Sequence, residues 1–170
     1  LPSGPIAVAY SGGLDSSVLL HGLATLPAAR ARGLRAIHVN HGLQDSSLEW
    51  ARICERACTA LDLPLVVLSV DVERSSGFGL EAAARRARFS AMQSELTDGE
   101  IMAFAHHRDD QAETVLLKLL RGAGPEGLSA MRKLRPFGHG HAWRPLLGTS
   151  RALLRAYADQ ARLDWISDPS

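Results

Sequence analysis

A chain of 170 residues with 46% hydrophobic side chains builds one sizeable core and not two, so a single domain over 1–170 is expected. No apolar run reaches the length of a membrane span, which excludes a transmembrane helix and makes a cytoplasmic protein with no membrane partner the expectation. The formal net charge of +1 permits a nucleic-acid partner without demanding one, although all basic residues but Lys118 and Lys133 are arginine, the better side chain for bidentate phosphate contacts.

The apolar run Ile6-Ala7-Val8-Ala9-Tyr10 reads as a buried strand, and Val18 to Leu23 reads as a helix. Between them lies Ser11-Gly12-Gly13-Leu14-Asp15-Ser16-Ser17, a strand-to-helix turn. Two glycines let the backbone turn sharply and approach a ligand closely, while hydroxyls and N–H groups at a helix start bind anions. A Walker loop is excluded, because it needs a lysine after its glycine and the first lysine here is Lys118. Phosphates held in such a turn need a cation beside Asp15, and Mg²⁺ is the expected one. Spacing alone leaves this cradle level with a plain turn in which Asp15 or Ser16 caps the helix.

Pro27 to Gly33 reads as a loop, and Leu34 to Asn40 as a second strand ending in the polar turn His41 to Asp45. A helix from Ser46 or Ser47 to Leu61 carries Cys54 and Cys58, two reduced thiols in a pattern too sparse for a zinc or iron–sulfur site. Leu65 to Val70 is a third strand, Ser75 to Gly79 a loop, and Leu80 to Leu96 a long helix. On that helix Glu81, Arg85, Arg88, Phe89 and Met92 share one face. An isolated ion pair is the plain account, but two arginines beside an aromatic suit an anion.

Ile101 to Ala105 is the fourth strand, delivering His106-His107 to a helix from Arg108 to Leu120. Its first turns concentrate His106, His107, Asp109, Asp110 and Glu113, more than capping requires and suited to Mg²⁺ or an ammonium group. Gly122 to Gly140 reads as a long loop, and Ser150 to Ala161 as the last helix. The G-x-G-x-x-G match at Gly122 to Gly127 is rejected as a dinucleotide fingerprint, since it follows a helix and contains Pro125. Strands alternating with helices imply an α/β fold: a doubly wound, mostly parallel, five-stranded sheet with helices on both faces. Ligands in such sheets bind at the carboxyl ends of the strands, where the clusters Ser11–Ser16, His38–His41 and His106–Asp110 should share a cleft.

Ser-Gly-Gly-Leu-Asp-Ser resembles the PP-loop of the ATP pyrophosphatases, which split ATP between the α- and β-phosphates. The chain as a whole resembles the tRNA(Ile)-lysidine synthetases of the bacterial MesJ type. The matching stretches are Ser11–Ser17, His38–Leu43, Glu81–Phe89, Ala105–Thr114, Arg121–Gly124 with Gly127-Leu128, Arg144-Pro145-Leu146 and Asp168–Ser170. The resemblance implies ATP-dependent adenylation of C2 of the wobble cytidine in an isoleucine tRNA with a CAU anticodon, followed by displacement of AMP by the side-chain amine of free L-lysine.

It further implies that Ser11, Gly12, Gly13, Leu14, Asp15 and Ser16 bind the pyrophosphate of ATP, with Mg²⁺ at Asp15. His38, Asn40 and His41 border the adenosine, and Arg85 and Arg88 face the nucleotide. Asp110 and Glu113 hold the lysine amine beside His106 and His107, and Arg121 faces ATP or tRNA. Asp15, Arg85, Asp110 and Glu113 are the expected catalytic set. The chain stops inside the Asp168-Pro169-Ser170 turn, so the C-terminal domains with which this family grips tRNA are absent from the sequence. The runners-up are another PP-loop enzyme, of the tRNA 2-thiolation or amidotransferase type, and a noncatalytic adenine-nucleotide module. The first calls for a different cysteine pattern, and the second needs no acidic cluster opposite the cradle.

Overall fold

The computed structural model describes residues 1–40, 47–70, 79–122 and 130–167, with the side chains of 47, 48, 80 and 81 outside that description. The expectations placed on His41, on the Glu81 side chain, on residues 123–128 and on 168–170 therefore lie outside the described residues.

The elements follow in the order β1 (Ile6–Ala9), α1 (Leu14–Ala24), α2 (Pro27–Arg30), β2 (Arg35–Asn40), α3 (Ser47–Ala60), β3 (Leu65–Ser69), α4 (Leu80–Glu95), β4 (Ile101–Ala103), α5 (Arg108–Leu120), β5 (Leu134–Phe137), β6 (Gly140–Trp143) and α6 (Arg151–Gln160). They form one sheet in the order β3-β2-β1-β4-β6-β5, parallel except for the β5–β6 pair. Alternation along the strands divides the core. Ile6, Val8, Ala36, Ile101 and Ala103 pack with Leu19, Leu20, Leu23, Cys54 and Cys58 on the α1/α3 face. Ala7, Ile37, Val39, Met102 and Phe104 pack with Met92 and Leu96 on the α4 face. Helices on both faces explain why these strands read as unbroken apolar runs. Among the described residues no helix is long and apolar enough to cross a membrane.

Two stretches differ from the sequence expectation. Residues expected as loop contribute α2, a single turn with proline at its start, where proline's missing N–H costs nothing. The second half of the expected Gly122–Gly140 loop is the β5–β6 hairpin, which makes the sheet six-stranded instead of five-stranded. The glycines and proline that signal a loop here have strand roles. Pro136 sits on the edge strand β5, where a missing donor is tolerated. Gly138 supplies the turn with φ +56. Gly140 lies against the sheet so closely that a Cβ would stand 1.9 Å from the Glu100 carbonyl oxygen.

One ion-pair network ties α4 to the amino-terminal edge of the sheet. Arg35 Nε donates to Glu100 Oε1 at 2.7 Å, Nη2 to Glu100 Oε2 at 2.9 Å, and Nη1 to Glu95 Oε1 at 2.8 Å. Glu100 is only 2% exposed. Burial pushes its carboxyl up, but hydrogen bonds from Arg35 and from the Thr97 N–H and hydroxyl outweigh burial and leave it below the ordinary value.

Glu100→Gln keeps the shape and removes the charge, and is expected to cost about 3 kcal/mol in denaturant unfolding. The stability that this group supplies is complete above its ordinary value of about 4.5 and is lost as pH falls through the lower folded value. The unfolding free energy of the wild type therefore declines more steeply across that acid window than that of Glu100→Gln. Parallel pH curves for the two proteins would contradict the assignment.

Candidate functional site

Leaving β1 the chain runs outward through β2 and β3, then returns to add β4 on the other side of β1. The carboxyl ends of β1 and β4 therefore flank the point where strand order reverses, the usual place for a ligand in an open α/β sheet. A cleft of about 660 Å³ lies there. It is lined by Ser11, Gly13, Leu14, Asp15 and Ser16 after β1, by His38 and Asn40 of β2, by Arg88 and Phe89 of α4, and by Ala105, His106 and Asp110 after β4.

The loop after β1 has the form of an anion cradle and not of a side-chain cap. Gly13 is the N-cap of α1 and contributes no side-chain bond. The first intrahelical bond runs from Ser17 N–H to Gly13 O at 2.9 Å, which leaves the N–H groups of Leu14, Asp15 and Ser16 without a partner inside the helix. Ser16 Oγ donates to Gly13 O and lies 3.0 Å from Ser11 Oγ, so the two hydroxyls stand together at the cleft. Gly12 takes φ +83, and a Cβ there would sit 2.5 Å from Ile166 Cδ1 and 3.0 Å from Cys54 Sγ. Ile166 N–H also donates to Gly12 O at 2.9 Å, so the segment after α6, itself part of the cleft lining, holds the loop.

Across the switch point, the start of α5 is closed by a capping box. His107 Nδ1 accepts from the N–H groups of Asp109 and Asp110, while Asp110 Oδ2 accepts from His107 N–H at 2.8 Å. Capping thus accounts for part of the acidic cluster, yet Asp110 still lines the cleft. Asp109 turns away and accepts from Arg151 N–H at 2.7 Å, joining the starts of α5 and α6. His107 Nε2 faces Asp15 Oδ2 at 3.6 Å. The other oxygen, Asp15 Oδ1, is buried and finds no hydrogen-bond donor among the described residues. Burial raises the Asp15 carboxyl above its ordinary value, against the opposing pull of His107 and Arg151.

The opposite wall is cationic. Phe89, Phe104 and Phe137 form an aromatic cluster, with Phe89 stacked on Phe104 at 5.4 Å. Arg85 lies 5.1 Å and Arg88 5.9 Å from the Phe89 ring centroid, and Arg144 lies 5.7 Å from that of Phe104. Burial lowers Arg88 and Arg144 from the ordinary arginine value, and neighbouring arginines lower them further. His106 sits over Phe104 in the cleft wall, and burial together with Arg144 pushes it down to about 4. It is therefore a neutral imidazole at neutral pH.

Ten residues named from the sequence meet at the cleft: Ser11, Gly13, Leu14, Asp15, Ser16, His38, Asn40, Arg88, His106 and Asp110. Gly12, the buried His107 and Arg85 are outside the lining, with Arg85 stacked over the lining residue Phe89. Glu113 and Arg121 are exposed along α5 and beyond its end, outside the lining. Sequence reading missed Arg151, Arg155 and Trp165, which line the cleft from α6 and the segment after it, with Arg155 4.7 Å over the Trp165 ring. The i, i+4 spacing of Arg151 and Arg155 on one helical face was the available signal.

The His106 environment is directly measurable. An NMR titration of its ring protons is expected to give a midpoint near 4, and Arg144→Gln, which removes a like charge, is expected to move that midpoint upward. A midpoint near 6.5 in the wild type would show that the ring is solvated and not held in the wall.

The PP-loop domain family matches residues 2–170. The tRNA(Ile)-lysidine synthase of Xanthomonas axonopodis pv. citri is 59% identical over 169 residues, covering 99% of this chain and 38% of that protein. That of Pseudomonas aeruginosa is 52% identical over 169 residues with the same shares, so the chain spans about 38% of the length of these relatives. Among solved structures, the U34-tRNA thiolase NcsA from Methanococcus maripaludis with its 4Fe–4S cluster superposes with a TM-score of 0.78 at 18% identity, covering 99% of this chain and 60% of that one. The NH3-dependent NAD synthetase of Campylobacter jejuni does so with a TM-score of 0.58 at 17% identity, covering 93% and 64%. At those identities the likeness speaks to the fold alone, whereas a family match over almost the whole length, with the Ser11–Ser16 turn at the sheet's switch point, carries the assignment: the chain belongs to the PP-loop domain family.

Proposed function

We propose that this chain carries the catalytic chemistry of a tRNA(Ile)-lysidine synthase, joining free L-lysine to C2 of the wobble cytidine of an isoleucine tRNA with a CAU anticodon at the expense of ATP. The observation that carries this reading is the cleft itself, with an anion cradle on one side of the switch point and Asp110 on the other. The N–H groups of Leu14 to Ser16 and the Ser11 and Ser16 hydroxyls would hold the pyrophosphate portion of ATP. Arg88 would meet the phosphoryl group at which AMP is transferred, with Arg85 reinforcing it through the shared Phe89 ring. His38 and Asn40 would border the adenosine.

The orphaned Asp15 Oδ1 fits a divalent cation as one protein carboxylate, and among the described residues no group of three or more acidic, histidine or cysteine side chains offers a fuller protein cage. That donor set suits Mg²⁺, which keeps its waters and takes phosphate oxygens. When bound, the ion would neutralise charge on the pyrophosphate leaving group. Asp110 would attract the ammonium of lysine and accept the proton that the amine must lose before attacking the adenylated carbon. Glu113, one turn further along α5, would contribute field more than contact. An isoleucine tRNA and lysine are the substrates that the relatives' name supports, and a tRNA substrate supports a cytoplasmic location.

Against 2-thiolation stand the two cysteines. Both are buried in the α1/α3 core, and burial raises Cys54 to about 12 and Cys58 to about 11, far from a reactive thiolate.

The two half-reactions separate the roles. In the full-length protein, Asp15→Asn is expected to abolish AMP transfer to the tRNA, while Asp110→Asn is expected to leave AMP transfer within a few-fold and raise the KM for lysine by about 30-fold, the loss of one charged hydrogen bond. Glu113→Gln should raise that KM less. If Asp110→Asn stops AMP transfer with lysine affinity unchanged, Asp110 serves the nucleotide and not lysine.

A further inference from the structure

His107 sits where the two halves of the cleft meet, with hydrogen bonds at Nδ1 and a carboxylate facing Nε2. Nδ1 accepts from Asp109 N–H at 3.2 Å and from Asp110 N–H at 3.4 Å, so Nδ1 carries no proton. The ring's one N–H is then on Nε2, the nitrogen that faces Asp15 Oδ2 at 3.6 Å. The ring is buried, at 5% side-chain exposure, and has little room to turn. A carboxylate at the start of an exposed helix rotates broadly about its last torsion. Here Oδ2 lies against the Nε2–H edge, while Oδ1 of this cleft-lining residue is buried and without a donor among the described residues. Because a carboxylate is planar, orienting one oxygen orients the other.

We propose that His107 is a positioning residue, which fixes the Asp15 carboxylate with Oδ1 left free of protein donors for a cation and, because the same ring caps α5, couples the turn that binds the nucleotide to the helix that carries Asp110. This rests on the function proposed above in one respect, that Asp15 serves a Mg²⁺–nucleotide complex. Partners that orient a metal ligand in this way are worth about 10–100-fold in metal affinity. His107 itself touches neither substrate.

The two roles of the ring come apart in substitution. Asparagine is a preferred N-cap, so His107→Asn keeps the acceptor for the Asp109 and Asp110 N–H groups but has no atom at the Nε2 position. The experiment titrates Mg·ATP into the full-length protein by calorimetry, without lysine or tRNA, and records melting temperature in parallel. His107→Asn is expected to melt within about 2 °C of wild type, to bind Mg·ATP about 10-fold more weakly, and to need more Mg²⁺ to reach half-maximal nucleotide binding. In an Asp15→Asn background, adding His107→Asn is expected to change Kd by less than about twofold, because the residue acts through Asp15.

A His107→Asn protein with unchanged Kd would make the ring a helix cap and nothing more, overturning the proposal. So would a 10-fold loss that persists in full when Asp15 is already Asn. Should His107→Asn melt as low as His107→Ala, the wild-type ring decides: nitrogen NMR placing the proton on Nε2 supports the proposal, and a proton on Nδ1 overturns it. Failure of the wild type to bind Mg·ATP would instead strike the proposed function itself, a distinct result.

Discussion

Everything at the cleft depends on the parallel pairing of β1 with β4, Ile6 against Ile101 and Val8 against Ala103. That pairing sets two strand ends from opposite halves of the chain side by side, with α1 starting from one and α5 from the other. Two helix N-termini therefore meet at one space: α1 supplies uncapped backbone donors together with Asp15, and α5, whose first N–H groups are capped, supplies Asp110. Carboxylates at helix starts are favoured by the helix dipole, but two of them near one another repel. The repulsion shows in Asp15, which burial and the neighbouring aspartates raise, and which His107 and Arg151 hold back. The same crowding that strains the carboxylates gives the site its attraction for a cation.

The sheet's other consequence is a division of charge across the cleft. The strand ends and helix starts of β1 and β4 carry the acidic groups, whereas α4 and the strand-following Arg144 bring guanidinium groups to an aromatic cluster. Burying Arg88 and Arg144 is unfavourable, as their lowered values record. Phe89 and Phe104 offset part of that cost, since a cation over an aromatic face contributes about 0.5–2 kcal/mol. An aromatic support also leaves the N–H donors of the guanidinium plane directed elsewhere than at a carboxylate, which is what an anion-contacting arginine requires. His106, kept neutral between these arginines and Phe104, adds polar surface to this wall without adding charge. Carboxylates and guanidinium groups thus reach the same cleft from different elements, with the backbone N–H groups of the Ser11–Ser16 turn beside the carboxylates.

The parts of this design that local sequence determines were legible. Apolar runs of strand length alternating with helical stretches gave the doubly wound sheet, and Ser11–Ser16 was legible as a strand-to-helix turn, with resemblance to the PP-loop favouring a cradle over a plain cap. What local sequence does not determine was missed. The β5–β6 hairpin hid behind Pro136 and Gly138, residues whose usual meaning is loop and whose role here follows from an edge position and a tight turn against α4. Arg151, Arg155 and Trp165 reach the cleft because α6 packs on α1 through Val18, Leu154 and Ala158, a tertiary fact that the i, i+4 spacing of the two arginines does not by itself disclose. His107 looked like a ligand-facing partner of His106. Its rotamer, fixed by the capping box, turns it into the wall instead.

The shape of the cradle is likewise a long-range property. Gly12 needs its left-handed backbone so that the chain can reverse into α1, and Ile166 and Cys54 fill the space that any Cβ would take. Ile166 then returns a hydrogen bond to Gly12 O, and Trp165 beside it packs, as do Leu14 and Tyr157, against the cluster of Val18, Leu154 and Ala158. His21 Nδ1 and the Tyr157 hydroxyl, 2.8 Å apart, join α1 to α6 a turn and a half further on. The loop is therefore held by residues more than 150 positions away in sequence as firmly as by its own neighbours. An anion cradle made of backbone N–H groups works only if those groups already point at the ligand, because turning them at the moment of binding would consume the affinity they supply. In this chain that preorganisation comes from the packing of the last described segment against the first turn of the sheet, which brings residues 165 and 166 to the loop at residues 11–16.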